Sequence, residues 1–162
     1  MATVSLSYSA VQTMTVANLA GLASSATAGW QSAVVDNSTD LYDDAAVQVV
    51  LDFANTAPAN SKGVYVYAYS GLETTYTNPA SGSEGPITLL DVTTTQQALT
   101  YVGFIPYTTA DEVVESRVFH LAQAFGGVLP IKWGLVMMNH SGAALAASGH
   151  TVKWRGIKYT VA

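Results

Sequence analysis

Residues 45–54 constrain the fold most. Val47, Val49, Leu51 and Phe53 alternate there with Ala46, Gln48, Val50 and Asp52, a period of two that sets four large apolar side chains on one face of an extended strand. Residues 63–70 repeat the pattern, with Val64, Val66 and Ala68 facing one way and Tyr65, Tyr67 and Tyr69 the other. Helical periodicity is scarce, and Thr, Val and Tyr, which fit a pleated, half-buried surface, are abundant. Shorter strand candidates follow at 4–6, 11–16, 30–35, 87–92, 99–105, 117–121, 133–139 and 153–161, each bounded by Gly, Pro, Asn or Ser. Helical turns are expected at 19–25, 93–98 and 121–125. Residues 55–62, with Pro58, Asn60 and Ser61, read as a hairpin-type loop, and residues 72–86 as the longest loop of the chain. Many short strands without a long helix predict an all-β chain, an antiparallel two-sheet β-sandwich or a barrel. The length, 162 residues, fits one domain spanning 1–162, with 1–29 as an N-terminal arm or edge strand.

Composition narrows the function classes. Only 10% of residues are charged against 49% hydrophobic, which excludes disorder, and the absence of cysteine excludes disulfide staples and thiolate zinc sites. A net charge of −5 argues against nucleic acid as a partner. A surface so poor in charge has little protection against association, so part of it is expected to touch other protein. The charges are also segregated: all 11 acids lie at or before Glu115, and five of the six bases lie at or after Arg117. Pairing of late strands with early ones would neutralise this internally; the sharper reading is a surface that docks onto copies of the chain or onto a partner. No signal peptide is expected, because no base precedes Lys62 and polar residues interrupt the weakly apolar stretch 16–28; no run is long enough for a membrane helix.

Three side-chain groups are candidates for chemistry. Asp36, Asp40, Asp43 and Asp44, with Asn37, form an oxygen-rich cluster that could in principle hold calcium, but it lacks the Gly-centred spacing of an EF-hand loop and is first of all a turn signature. His120, His140 and His150 lack the close spacing of a zinc site, and Ser141 is not in a nucleophile elbow, so a hydrolase is only a residual reading. The stripe Tyr65, Tyr67 and Tyr69, joined by Tyr76, Tyr101 and Tyr107, divides between core packing and a contact surface. With no cofactor fingerprint or carboxylate pair, the expectation is a protein that is not an enzyme and holds no cofactor.

The second half carries a family likeness. The run Phe125-Gly126-Gly127-Val128-Leu129-Pro130-Ile131-Lys132-Trp133-Gly134-Leu135-Val136, then Asn139-His140-Ser141-Gly142-Ala143-Ala144-Leu145, resembles a group of small tailed-phage virion proteins. Residues 30–35, 36–43 and 62–69 look like the opening strands of the same group. The resemblance implies a jelly-roll-like sandwich that acts as a capsid decoration or cement protein on the phage head, with the major capsid protein as partner and a homo-oligomer, a trimer in particular, as its state. It transfers no catalytic residue. The motif also makes physical sense: Gly126-Gly127 permits a tight turn, Pro130 stops strand pairing, Trp133 plugs the sandwich, and Gly142 is free to take positive φ.

Contact elements expected on this reading are the 72–86 loop, the face of Tyr65, Tyr67, Tyr69 and Tyr76, the uncharged N-terminal arm, and the basic C-terminal strand with Lys153, Arg155 and Lys158. The alternative is a glycan-binding module of a capsid surface or tail fibre, with the tyrosines as a stacking platform and calcium at the aspartates.

Overall fold

The computed structural model describes residues 3–59, 62–89 and 98–161. Nearly all of the regular structure is strand, in two antiparallel sheets. In sheet one, β1 (Val4–Tyr8) and β2 (Gln12–Thr13) pair with β12 (Thr151–Val161), β12 with β5 (Asp44–Asp52), and β5 with β9 (Val113–Glu115) and β10 (Phe119–His120). In sheet two the order is β7 (Gly85–Thr88), β3 (Ala28–Gln31), β11 (Lys132–Asn139), β6 (Gly63–Gly71) and β8 (Thr100–Pro106), with β4 (Val35–Asp36) also on β11. The pairs β1/β2 with β12, β3/β4 with β11, β5 with β9/β10 and β6 with β8 are nested, as if one long hairpin had been rolled up. That connectivity is a jelly roll, with β7 added at an edge.

The period-two strands fold as their patterns require. Val47, Val49, Leu51 and Phe53 from one sheet meet Val64, Val66 and Ala68 from the other in the central core. They do so across the sandwich, not side by side, so the link from β5 to β6 is a crossover between sheets, and the hairpin-type loop expected at 55–62, of which 60 and 61 lie outside the described residues, is corrected. Both strands have an apolar face to bury, and opposing them buries both at once. The Tyr107 ring stacks on Phe53 at 3.9 Å, and its hydroxyl donates to the Ala54 and Thr56 carbonyls at 3.1 and 2.7 Å, which anchors the start of the crossover.

The 30–35 candidate is two strands. Between β3 and β4 the Ser32 hydroxyl accepts the Leu135 N–H at 2.9 Å, taking a place a carbonyl would hold in a regular ladder. The 11–16 candidate contracts to β2, and the first helical turn is a 3-10 turn at Ala17–Leu19. The turn expected at 121–125 is α1 (Leu121–Ala124), whereas the one at 93–98 lies almost wholly outside the described residues. β9 had no counterpart among the strand candidates.

Trp133 is fully buried and meets Trp154 edge-on at 5.3 Å, filling the sandwich as its place after Pro130 suggests. Gly142 takes φ 84°, a conformation strained for any other residue type. The two sheets differ in one respect that matters for function. Sheet two is covered on both faces, because its outer side carries a second core of Tyr67, Tyr69, Ile87, Leu89, Leu99, Val136 and Met138. Sheet one is covered on its inner face alone by the described residues.

Candidate interaction surface

The tyrosine stripe belongs to the second core. Tyr69 is fully buried and donates its hydroxyl to the Ser32 carbonyl at 2.9 Å; Tyr67 is buried, Tyr65 half-buried, and Tyr76 meets Tyr69 edge-on at 5.9 Å. Burial pushes the Tyr67 and Tyr69 phenols above the ordinary tyrosine range, and the bond to Ser32 offsets only part of this at Tyr69. Of the two readings of the stripe, core packing holds for Tyr67 and Tyr69, and their place among the contact candidates is corrected. Tyr76 and Ala80 of the 72–86 loop pack on this side of the sheet, and large amphipathic rings suit such a site. Tyr101 is the most exposed ring of the group, at 54%, while Tyr65 and Tyr76 are half-buried.

The aspartates do not converge. Asp36 accepts the Ser38 N–H at 2.9 Å and faces Lys132 Nζ at 3.3 Å; the Ser38 hydroxyl and N–H hold its carboxyl down to about 2. Asp43 accepts the Tyr159 N–H at 2.7 Å, and Asp44 accepts the Ala45 and Ala122 N–H groups at 2.7 and 2.8 Å while its other oxygen meets His120 Nδ1 at 2.7 Å. Asp40 contributes its backbone carbonyl, to Lys158 Nζ. No group of three potential metal ligands occurs among the described residues, so the calcium candidate at Asp36, Asp40, Asp43 and Asp44 is corrected to a set of turn and strand-end contacts.

The histidines are likewise separate. His150 accepts the Asp52 N–H at Nδ1 and donates from Nε2 to the Ala146 carbonyl, a structural tautomer. His140 packs edge-on against Tyr65, and burial lowers its pKa. Ser141 is buried and donates to Asn139 Oδ1 at 2.7 Å and to the Ala143 carbonyl at 2.9 Å, so it is a turn residue with no imidazole among its partners.

The outer face of sheet one is the open surface. Inward residues of β12, β5 and β10 are in the core, so Lys153, Arg155, Ala46, Gln48, Val50 and His120 point outward by the strand period. Of the thirteen large apolar side chains exposed among the described residues, eight lie on this side: Val4, Leu6, Tyr8, Val11, Val113, Val118, Tyr159 and Val161, from 46% to 72% exposed. Over the middle of the face Val11, Val118, Lys153 and Arg155 border a groove of about 160 Å³ floored by Ala46 and Gln48. Neither Lys153 nor Arg155 has a carboxylate at ion-pair distance among the described residues, and Arg155 lies 5.7 Å over the Tyr8 ring. Lys158, on the opposite parity, is separated from them. The predicted basic strand thus contributes Lys153 and Arg155 to one surface and Lys158 to another.

A second groove, about 340 Å³, is lined by Tyr101, Arg117, His120 and Gln123 at the β8–β10 edge. Sequence reasoning named Tyr101 and His120 separately, but not Arg117, Gln123 or the apolar residues of sheet one. The alternation Val4-Ser5-Leu6-Ser7-Tyr8 was a legible signal for β1, although period alone does not say whether the apolar side meets a core. Comparison with family models, curated proteins and solved structures finds no match to this chain.

Proposed function

We propose that this chain is a non-enzymatic structural protein of a phage virion, a decoration or cement protein that stabilises the head by adding contacts between subunits of the major capsid protein. The observation that carries the reading is the uncovered outer face of sheet one, where the exposed Val11 and Val118 border a groove together with Lys153 and Arg155. Exposed apolar side chains set beside charged ones suit a protein docking site, and the two bases would set register and encounter against an acidic partner. Jelly rolls recur in capsid proteins and lectins, an analogy at the level of fold that supports the reading without assigning it. Such a protein needs no chemistry: binding the assembled shell and not its free subunits stabilises the shell by mass action.

The test is co-sedimentation with purified phage heads, followed by copy number per particle and the temperature at which heads open. Hundreds of copies and a raised opening temperature, both reduced by Val118→Asp with Lys153→Glu, are expected. No sedimentation with any head, or a handful of copies confined to a tail, would overturn the reading.

The groove of Tyr101, Arg117, His120 and Gln123 favours a second reading, a glycan-binding module. An exposed ring beside hydrogen-bonding side chains is suited to stacking a sugar. Binding to a defined glycan on an array, insensitive to chelator and lost in Tyr101→Ala, would establish it against the architectural reading.

A further inference from the structure

The end of sheet one farthest from β9 is built differently from the rest. β5 pairs with β12 only from Thr151 to Ile157, whereas β1 pairs with Ile157 to Val161. Beyond Ile157 the strand ladder is therefore a two-stranded ribbon of β1 and the last residues of β12, held on its β12 side by Asp43, whose N–H donates to the Ile157 carbonyl and whose carboxylate accepts the Tyr159 N–H. Its two faces are unlike. Ser5, Ser7, Lys158 and Thr160 line one, with the Ser5 and Thr160 hydroxyls 2.6 Å apart. Val4, Leu6, Tyr8, Tyr159 and Val161 line the other, and all five are exposed.

A two-stranded ribbon alone is marginally stable in water, and five large apolar side chains in solvent add nothing to it. Its outer edge, β1, also lacks the devices that guard an exposed strand: it holds no charge, no proline and no bulge. Exposures of 46–72% on residues of this size amount to roughly 600 Å² of surface, so two such faces packed together would remove at most about 1,200 Å², enough to reach the lower bound of specific, stable interfaces. The five side chains carry no charge to repel a copy of themselves, and the nearest cation of the same face, Arg155, lies 5.7 Å over the Tyr8 ring at the end of the ribbon that joins the sheet.

We infer that the apolar face of the β1–β12 ribbon is a self-association surface, and that its occupant is the same face of a second copy of this chain. Two ribbons stack as a small second sandwich, with Leu6, Tyr8 and Tyr159 at its centre and the hydroxyl faces outward. This rests on the architectural reading for its purpose, since an oligomer presents several copies of the Lys153–Arg155 region to a shell. Its test is independent of that reading.

The full chain is examined by sedimentation equilibrium across micromolar concentrations, beside the pair Leu6→Asp with Tyr159→Asp and a control, Leu72→Asp, that changes an exposed apolar residue on a distant loop. The wild type and the control are expected at twice the monomer mass of 16.9 kDa or more, and the ribbon pair at the monomer mass with unchanged near-ultraviolet circular dichroism. The dissociation constant should rise by about 100-fold or more, a shift typical of losing a buried interface anchor. If the aspartate pair loses its tertiary signal, Leu6→Ser with Tyr159→Ser is measured instead and must weaken association in the same direction. A wild type that stays at monomer mass, or ribbon variants that associate as the wild type does, overturns the inference. Heads bound by a monomeric wild type would leave the architectural reading standing and this one refuted; an associating wild type that binds no head gives the reverse.

Discussion

Replacing Asn139 by aspartate changes one atom and tests how the two ends of the chain are joined. Asn139 is fully buried, and its amide is satisfied at every position: Nδ2 donates to the Leu22 and Ala143 carbonyls at 2.9 and 2.8 Å, and Oδ1 accepts from the Ser141 N–H and hydroxyl at 3.0 and 2.7 Å. Its backbone carbonyl also accepts the Ser25 N–H at 2.8 Å, so one residue ties the N-terminal segment to β11. In Asn139→Asp the second carboxylate oxygen faces two carbonyl oxygens where a donor had been. The protonated acid can donate to one of them, so at low pH the loss is one hydrogen bond and an orphaned carbonyl, about 2 kcal/mol. Ionised, the group is a buried charge set against two acceptors, and the folded-state pKa must rise above the unfolded value of about 3.9.

The sign follows. A raised carboxyl pKa means that the folded state holds the proton longer, so relative stability is greatest below the unfolded pKa and falls by about 1.4 kcal/mol per pH unit until the folded pKa is passed. At pH 7 the total loss should reach about 4 kcal/mol. Urea unfolding of both proteins at pH 4 and pH 7 measures this as a difference that cancels every other titrating group. A penalty at pH 7 no larger than at pH 4, or below about 1 kcal/mol at both, would refute the hydrogen-bond assignment.

Three further outcomes follow from the packing. Glu84 accepts from Trp30 Nε1 at 2.7 Å and from the Asn18 N–H and Nδ2 at 2.9 and 2.7 Å; burial raises its pKa, but these bonds together lower it below the usual value. It therefore contributes stability above its unfolded pKa that is lost as pH falls through the depressed folded value, and Glu84→Gln should flatten the acid limb of a thermal-unfolding profile between about pH 5 and pH 2. A Cβ at Gly134 would come within 2.3 Å of the Tyr69 ring, so Gly134→Ala should cost about 1–3 kcal/mol in chemical denaturation, and Gly134→Ala with Tyr69→Leu should cost less than the two changes summed. In alkaline titration followed by tyrosine absorbance, the Tyr67 and Tyr69 phenols should ionise above the ordinary range, and an early titration of all nine tyrosines would contradict their burial.

The local patterns were legible because a strand's period is a property of its own residues. The inward faces of β5 and β6, the turn at Gly142, the helical turn after His120 and the plugging ring of Trp133 all follow from neighbours within a few positions. The candidate surface was legible only in part. Lys153 and Arg155 were visible as a basic pair on one strand face, but Lys158 was grouped with them although its parity differs. The aspartates resembled a ligand cage because a sequence shows five oxygen-bearing side chains close in number and not the backbone N–H groups that claim them.

By itself the sequence determined that the chain is all β, that it forms strands with one wholly apolar face, and that its surface carries little charge. Only the tertiary structure decided that β5 and β6 lie in opposite sheets, that Tyr67 and Tyr69 are buried, and that Val4, Leu6 and Tyr8 face water. The reason is physical: alternation depends on neighbours two residues away, whereas the covering of a face depends on segments up to a hundred or more residues distant, whose arrival no local pattern records.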